Sequence, residues 1–374
     1  MKELQEIIRA YDAVKQAEQK AVLATIVNVK GSTYRRPGAR MLIRDDGTSV
    51  GALSSGCLEA DVAERAKKIM GMHDALTVTY DLTSPEEDVW GLNQGCNGVI
   101  HILLEPLPLS ARSEHLSFLA ASLFEGRSGV IASVFRVEGE LRLRVGSHLF
   151  LRDDGTLAEN VMNPALAAAM TEDCISTLRT KRSSVKEYRL TEGIVEAFVE
   201  FIQPPLPLII FGAGADAIPL ARLATEVGWK VTVVDHRPAF LTVDRFPTAD
   251  ELIPLRPEEV SEKMVLGPNT VATILTHNFS HDLQLLRSLL PSPALYVGLL
   301  GPSKRTQLLL DKLRETGFTP TAAQLGRFHN PIGLNIGAES PEEIALSVLS
   351  EIQAFLRGRS GGFLRDHAGP IHGN

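Results

Sequence analysis

The stretch LPLIIFGAGADAIPLARLATEVGWKVTVVDHR, residues 206–237, decides the fold of the C-terminal half of the chain. Leu208 to Phe211 is a short apolar run of the kind that forms a buried strand. Gly212-Ala213-Gly214 follows at once, with Ala217 in the small third position of the pattern G-x-G-x-x-G/A. The first glycine permits a tight turn and the second lets a phosphate approach the amides of the next helix. WKVTVVD then reads as a second apolar strand closed by Asp235, the position from which an acid accepts hydrogen bonds from a ribose. This order of strand, turn, helix, strand and acid predicts a Rossmann-like three-layer αβα domain. It makes Gly212, Gly214 and Asp235 candidate contacts for NAD or another nucleotide, although the fold is often kept without that ligand. Arg237 is either a surface arginine or a partner for a 2′-phosphate, which Asp235 beside it would repel.

The alternation continues outward through TVATILTHN, LQLLRSLL, ALYVGLLG and SKRTQLLLDKLRETG. SPEEIALSVLSEIQAFLRG closes it with a helix in which Ser340 and Glu343 have capping-box spacing. Upstream, Gln203-Pro204-Pro205-Leu206-Pro207 denies backbone donors to any regular element. The expected organisation is an N-terminal mixed α/β domain over 1–200, a proline-rich linker over 201–207, the Rossmann-like domain over 208–360 and a tail over 361–374.

With 374 residues, 44% of them hydrophobic, the chain can bury a core in each domain. A net charge of -7 supplies no long-range field to gather nucleic acid or anionic membrane, so neither is an expected partner. The start, MKELQEIIRAYDAVKQAEQK, has helical spacing but no signal-peptide core, and no later run approaches a membrane span; the cytoplasm is the expected location. Cys57, Cys96 and Cys174 are too few and too far apart for a disulfide scaffold.

In the N-terminal half, AVLATIVNVKGS reads as a strand, ARMLIRDDGTSVGAL as two strands around a turn, and CLEADVAERAKKIM as an amphipathic helix. ALTVTYDL and NGVIHILLEPL add strands. FLRDDGTLA at 150–158 echoes LIRDDGTSV at 42–50. Asp-Asp-Gly-Thr is a favourable hairpin turn on its own, and a structural duplication is the alternative. The loop KGSTYRRPGARM places Arg35, Arg36 and Arg40 among hydroxyls and glycines, a composition that suits a phosphate or a solvated turn. In GALSSGCLEAD, Ser55 and Gly56 precede Cys57 at an expected helix N-terminus, where amides and the dipole favour a thiolate. Cys96 lies in a second small-residue turn, GLNQGCNGVI, and neither cysteine belongs to a Cys-x-x-Cys pair.

Taken together, GSTYRRPGARMLI, GALSSGCLEADV, GCNGVIHILLEP, the glycine stretch at 211–237, YVGLLGPSKR and HNPIGLNIGAESPEEIALSVLSEI resemble, in that order, the bacterial XdhC/CoxI family of accessory proteins for molybdenum hydroxylases. The resemblance implies a chaperone that binds the molybdenum cofactor, as bare molybdopterin or its dinucleotide form. It implies protection of that cofactor, help in its sulfuration, and delivery to a molybdenum hydroxylase such as xanthine dehydrogenase. It further implies a cysteine desulfurase as a partner and a homodimer. Under it Arg35, Arg36, Arg40, Ser55 and Gly56 belong to the cofactor site, and Cys57 and Cys96 approach the metal, for which thiolate is a suitable soft ligand. Asn97 departs from the pattern, standing where a glycine is expected.

Two other readings stay open on the residues alone. An NAD-dependent oxidoreductase would need an acid or base, for which His277, His281 and Asp282 in THNFSHD are candidates. A nucleotide-regulated binding protein without catalysis would need only the glycine turn.

Overall fold

The structure is a computed structural model that describes residues 2–56, 58–72, 74–83, 97–108 and 112–366. The chain divides after Pro204 into two compact units.

The N-terminal unit opens with helix α1 (Lys2–Gln16), then β1 (Ala21–Ser32), β2 (Arg40–Arg44), β3 (Ser49–Gly51), α2 (Glu59–Ile69), β4 (Leu76–Asp81) and β5 (Asn97–Pro106). The same succession then recurs: α3 (Glu114–Glu125), β6 (Gly129–Gly139), β7 (His148–Arg152), β8 (Leu157–Glu159), α4 (Pro164–Thr180), β9 (Ser184–Leu190) and β10 (Gly193–Ile202). The two antiparallel sheets have matching strand orders, β3-β2-β1-β5-β4 and β8-β7-β6-β10-β9.

The echo of Asp-Asp-Gly-Thr is therefore the visible part of a duplication. Hydrogen bonds repeat at a constant offset: Gly38 N–H to Ile26 and Gly146 N–H to Val134, both 2.8 Å, and Arg44 N–H to Thr48 and Arg152 N–H to Thr156, both 2.9 Å. Register slips at Val27 in β1 and at the corresponding Phe135 in β6. These two residues pack together with Leu103 and Phe198 in a small core shared by the two repeats. Helix α2 covers the outer face of the first sheet and α4 that of the second. Helices α1 and α3 pack with Leu23, Leu42, Ile131 and Phe150 on the inner faces. Cys174 lies in the α4 core, where burial pushes its thiol up to about 12, so it stays a packed thiol.

The second unit consists of β11 (Pro207–Phe211), α5 (Ala217–Glu226), β12 (Lys230–Asp235), β13 (Glu251–Pro254), α6 (Val260–Lys263), β14 (Val271–Ile274), α7 (Phe279–Leu289), β15 (Tyr296–Leu299), α8 (Ser303–Glu315), α9 (Ala322–Leu325), β16 (Phe328–His329) and α10 (Pro341–Leu356). All its strands are parallel, in the order β13-β12-β11-β14-β15-β16. That is the Rossmann arrangement, with its crossover between β11 and β14. Helices α5 and α10 pack on one face of the sheet, α6, α7 and α8 on the other. Ser340 and Glu343 form the expected capping box at the start of α10. Among the described residues no helix is long and apolar enough to cross a membrane.

Candidate functional site

Three of the singled-out segments of the N-terminal unit meet at one end of the first sheet. The arginine loop, 33–39, leaves the end of β1 and returns as β2 at Arg40. Gly51 ends β3 opposite Met41, and β5 starts at Asn97 opposite Ser32. Two glycines make this convergence feasible. A Cβ on Gly51, at φ +89°, would stand 2.4 Å from the Arg40 carbonyl, and one on Gly98 would stand 2.6 Å from that of Lys30. Glu3 of α1 ties two of the segments together: it pairs with the Arg35 guanidinium and accepts a 2.8 Å hydrogen bond from the Ala52 amide.

Arg35, Arg36 and Arg40 all line one cavity of about 390 Å³, whose wall also includes Glu3, Gly38 and Glu200. The three cations differ in setting. Arg36 is exposed and Arg35 half-buried, whereas Arg40 is buried and grips Glu200 of β10 with both terminal nitrogens. Arg35 is paired with Glu3 and Arg40 with Glu200, so the wall presents guanidinium groups interleaved with carboxylates.

The segment leading to α2 is pinned by Glu59, which accepts hydrogen bonds from the amides of Leu53 and Ser54 and from the Ser54 hydroxyl. That hydroxyl in turn accepts from the amides of Gly56 and Leu58. Burial would raise the Glu59 carboxyl, but these donors outweigh it and hold the group below its ordinary range. Ser55 and Gly56 are exposed, and Gly56 has φ +115° with no atom within 4 Å of where a Cβ would stand. Cys57 and Cys96, the two expected metal-facing thiols, lie outside the described residues, each adjoining a described one: Leu58, the N-cap of α2, and Asn97, the first residue of β5.

A second group had no counterpart among the expectations from sequence. Glu105 of β5, His115 of α3 and His148 of β7 converge inside the N-terminal unit, with His148 Nε2 2.6 Å and His115 Nδ1 3.1 Å from the two Glu105 oxygens. Ser133 Oγ lies 3.0 Å from His148 Nδ1, and Arg40 Nη2 lies 3.4 Å from His115 Nε2. The only signals for it were a charged residue inside HILLEPL and a histidine opening the apolar strand HLFLR.

At the crossover of the second unit the glycine turn is formed as expected, but its polar groups face protein. Gly212, at φ +107°, has the Leu275 carbonyl 2.7 Å from where a Cβ would be, so close packing against the loop after β14 requires glycine. Gly214 is half-buried, with open space beside it. Asp235 accepts from the Ala213 amide at 2.7 Å, and Arg237 grips its two oxygens at 2.9 Å each. The cavity beside Asp235 measures about 20 Å³, less than a ribose needs. His277 is paired with Asp216 at 2.7 Å, Asp282 is wholly buried against Arg305 and Thr276, and His281 packs edge-on to His236. The acid-base candidates are thus each engaged in separate contacts.

Burial would raise the Asp235 carboxyl, but Arg237 and the Ala213 amide overcome this and pull it down to about 2. A depressed carboxyl stabilises the fold above its unfolded value near 4, and the contribution is lost as pH falls through about 2. Asp235→Asn is therefore expected to cost about 2 kcal/mol at neutral pH. In urea unfolding from pH 7 down to pH 2 the gap from the wild type should close below about pH 4; a gap independent of pH would contradict the assignment.

Comparison with known proteins places this architecture. Residues 14–81 match the model of the XdhC and CoxI family, and residues 208–352 match that of the XdhC Rossmann domain. Over 341 residues, 91% of this chain and 94% of the other, the chain is 36% identical to a Bacillus subtilis (strain 168) protein named as a probable xanthine dehydrogenase subunit. The chain belongs to the XdhC and CoxI family. It is also 26% identical, over 89% of its length and 82% of the relative's, to the molybdenum cofactor insertion chaperone PaoD of Escherichia coli (strain K12). A crystal structure described as a xanthine dehydrogenase from Bacillus halodurans superposes with a TM-score of 0.75 at 33% identity, covering 94% of this chain and 96% of that one. The XdhC and CoxI model spans β1 to β4 of the first repeat, the part that carries the arginine loop and the turn before α2.

Proposed function

We propose that this chain is a molybdenum cofactor-binding chaperone that protects the cofactor, assists its sulfuration and delivers it to a xanthine dehydrogenase-like molybdenum hydroxylase. The observation that carries this reading is the cavity lined by Arg35, Arg36 and Arg40, linked through Glu3 to the segment that runs into Cys57. The cofactor is cargo here, and its chemical demands fit what the cavity offers. Its phosphate is an anion, and the wall offers guanidinium groups suited to planar, bidentate contacts. At about 390 Å³ the cavity lies within the size range of small-molecule sites. The molybdenum and its dithiolene are soft, which suits Cys57 and Cys96 as thiolates.

Family membership and the likeness to the molybdenum cofactor insertion chaperone PaoD support the same assignment, and the xanthine dehydrogenase names of the two Bacillus relatives support the choice of target enzyme. In this reading the protein works in the cytoplasm as a homodimer and receives sulfur from a cysteine desulfurase. A nucleotide role for the second unit has no comparable support, because Asp235 is held by Arg237 and the adjoining cavity is small.

The test is anaerobic incubation of the full chain with cofactor released from a molybdenum enzyme, followed by gel filtration with molybdenum and pterin both measured. Near-stoichiometric co-elution is expected. Failure to enrich either the bare pterin or its dinucleotide would remove the proposal.

A further inference from the structure

The duplication gives the Glu105 group a counterpart. Glu105 pairs with Leu23 in the first sheet, and Glu200 pairs with the corresponding Ile131 in the second. Arg40 pairs with Thr25, and His148 with the corresponding Ser133. Counting back from the left-handed residues that follow α1 and α3, Glu18 and Gly126, His115 corresponds to Ile7. The charged partners are exchanged between the repeats. Arg40 of the first grips Glu200 of the second, and His148 of the second grips Glu105 of the first. One of these two equivalent places holds a guanidinium and a carboxylate. The other holds two imidazoles and a carboxylate.

We propose that Glu105, His115 and His148 form a binding site for a first-row divalent cation of the zinc type. One potential ligand atom from each residue lies within 4.8 Å of the others. Tetrahedral zinc, bound at about 2.1 Å to nitrogen and oxygen, separates its ligand atoms by about 3.4 Å. The 3.1 Å contact from His115 to Glu105 is near that spacing, and the 2.6 Å contact from His148 must open slightly to admit the ion. The three residues come from β5, α3 and β7, so the packed interior holds them in place without a loop. The side chains are 12% exposed at Glu105, 4% at His115 and 7% at His148.

The surroundings also suit a cation. Ser133 can accept the Nδ1 proton of His148, leaving Nε2 with its lone pair toward Glu105, a second-contact arrangement common for metal-binding histidines. The positive charge of Arg40 is countered by Glu200, so the two carboxylates and one guanidinium leave a net negative charge for a dication. Binding to His115 Nδ1 moves that ring's proton to Nε2, toward Arg40 at 3.4 Å, which limits affinity and couples the site to the wall of the arginine cavity. The site does not depend on the cofactor reading.

The experiment titrates the full chain, stripped with a chelator, with Co²⁺ as the spectroscopic probe and Zn²⁺ as competitor. One equivalent of Co²⁺ is expected, with d–d bands of a nitrogen and oxygen ligand set, displaced by Zn²⁺. His115→Ile and His148→Arg install the residues found at the corresponding positions of the first repeat, which favours retention of the fold. Each should weaken binding at least tenfold. X-ray absorption of the wild-type zinc complex gives a readout that needs no variant: nitrogen and oxygen scatterers with imidazole features support the site. Absence of tight binding by the folded wild type, unchanged affinity in both folded variants, or sulfur ligation in either spectrum would overturn it.

Discussion

Replacing Arg40 with methionine is expected to destabilise the protein by about 3–5 kcal/mol, the cost of leaving a buried ionic partner unpaired. Arg40 is 6% exposed and its partner Glu200 12%, and the guanidinium also donates to the Gly38 carbonyl at 2.8 Å. Removing it leaves a largely buried carboxylate without the guanidinium that donates to both its oxygens. The double variant Arg40→Met/Glu200→Met removes both charges and should recover much of the loss, giving a coupling of about 2 kcal/mol or more in the double-mutant cycle. Arg35→Met is the contrast. Its pair with Glu3 is about one-third exposed, and such pairs are worth about 1 kcal/mol or less. Urea unfolding of the full chains, followed by circular dichroism, provides the comparison. Equal losses for Arg35→Met and Arg40→Met, or additive losses at 40 and 200, would contradict the buried-pair account.

Cys57→Ser is expected to lower cofactor retention per folded molecule at least tenfold, with a parallel loss in activation of an apo-molybdenum hydroxylase. Serine stays neutral near pH 7 and is a poor ligand for a soft metal, whereas a thiol at the start of a helix is favoured as thiolate. Cys57 directly precedes Leu58, the N-cap of α2, and the Ser54–Glu59 hydrogen bonds that pin this segment need no thiol. Fold should therefore survive the substitution. Cys174→Ser supplies the control: its thiol sits in the apolar core under α4, so the exchange should lower thermal stability and leave retention per folded molecule unchanged. The comparison is molybdenum occupancy under anaerobic conditions, corrected for folded fraction. Wild-type occupancy and activation in folded Cys57→Ser would exclude the thiol from the site.

What could be read from the sequence was local. The glycine turn at 212–214, the strands on either side of it and the capping box at Ser340 and Glu343 each depend on residues close together in the chain. The hairpin turn of Asp46 and Asp154 was also legible, because in both copies the carboxylate accepts from the amide two residues on, a demand that preserved the same residue types. The rest of the duplication was hidden because a buried strand face requires only apolar residues of suitable size, and many sequences satisfy it. Glu200 lies far from Arg40 in the chain, and neither residue's neighbours announce the other. The fate of Asp235 was hidden for a different reason. Arg237 was visible two residues away, but its direction, back onto the acid and over the Phe240 ring, depends on the turn that follows β12.

The exchange of partners between the repeats also constrains how the N-terminal unit can change over time. A new residue at position 40 is judged by the carboxylate at 200, and one at 148 by the carboxylate at 105. Neither copy can drift freely at these places: glutamate stands at both 105 and 200, and the residue facing it has diverged only between two groups that can pair with a carboxylate, arginine on one side and histidine on the other. The duplicated halves have thereby become each other's environment, and a lineage that lost one would leave the survivor with charges adapted to a neighbour no longer present.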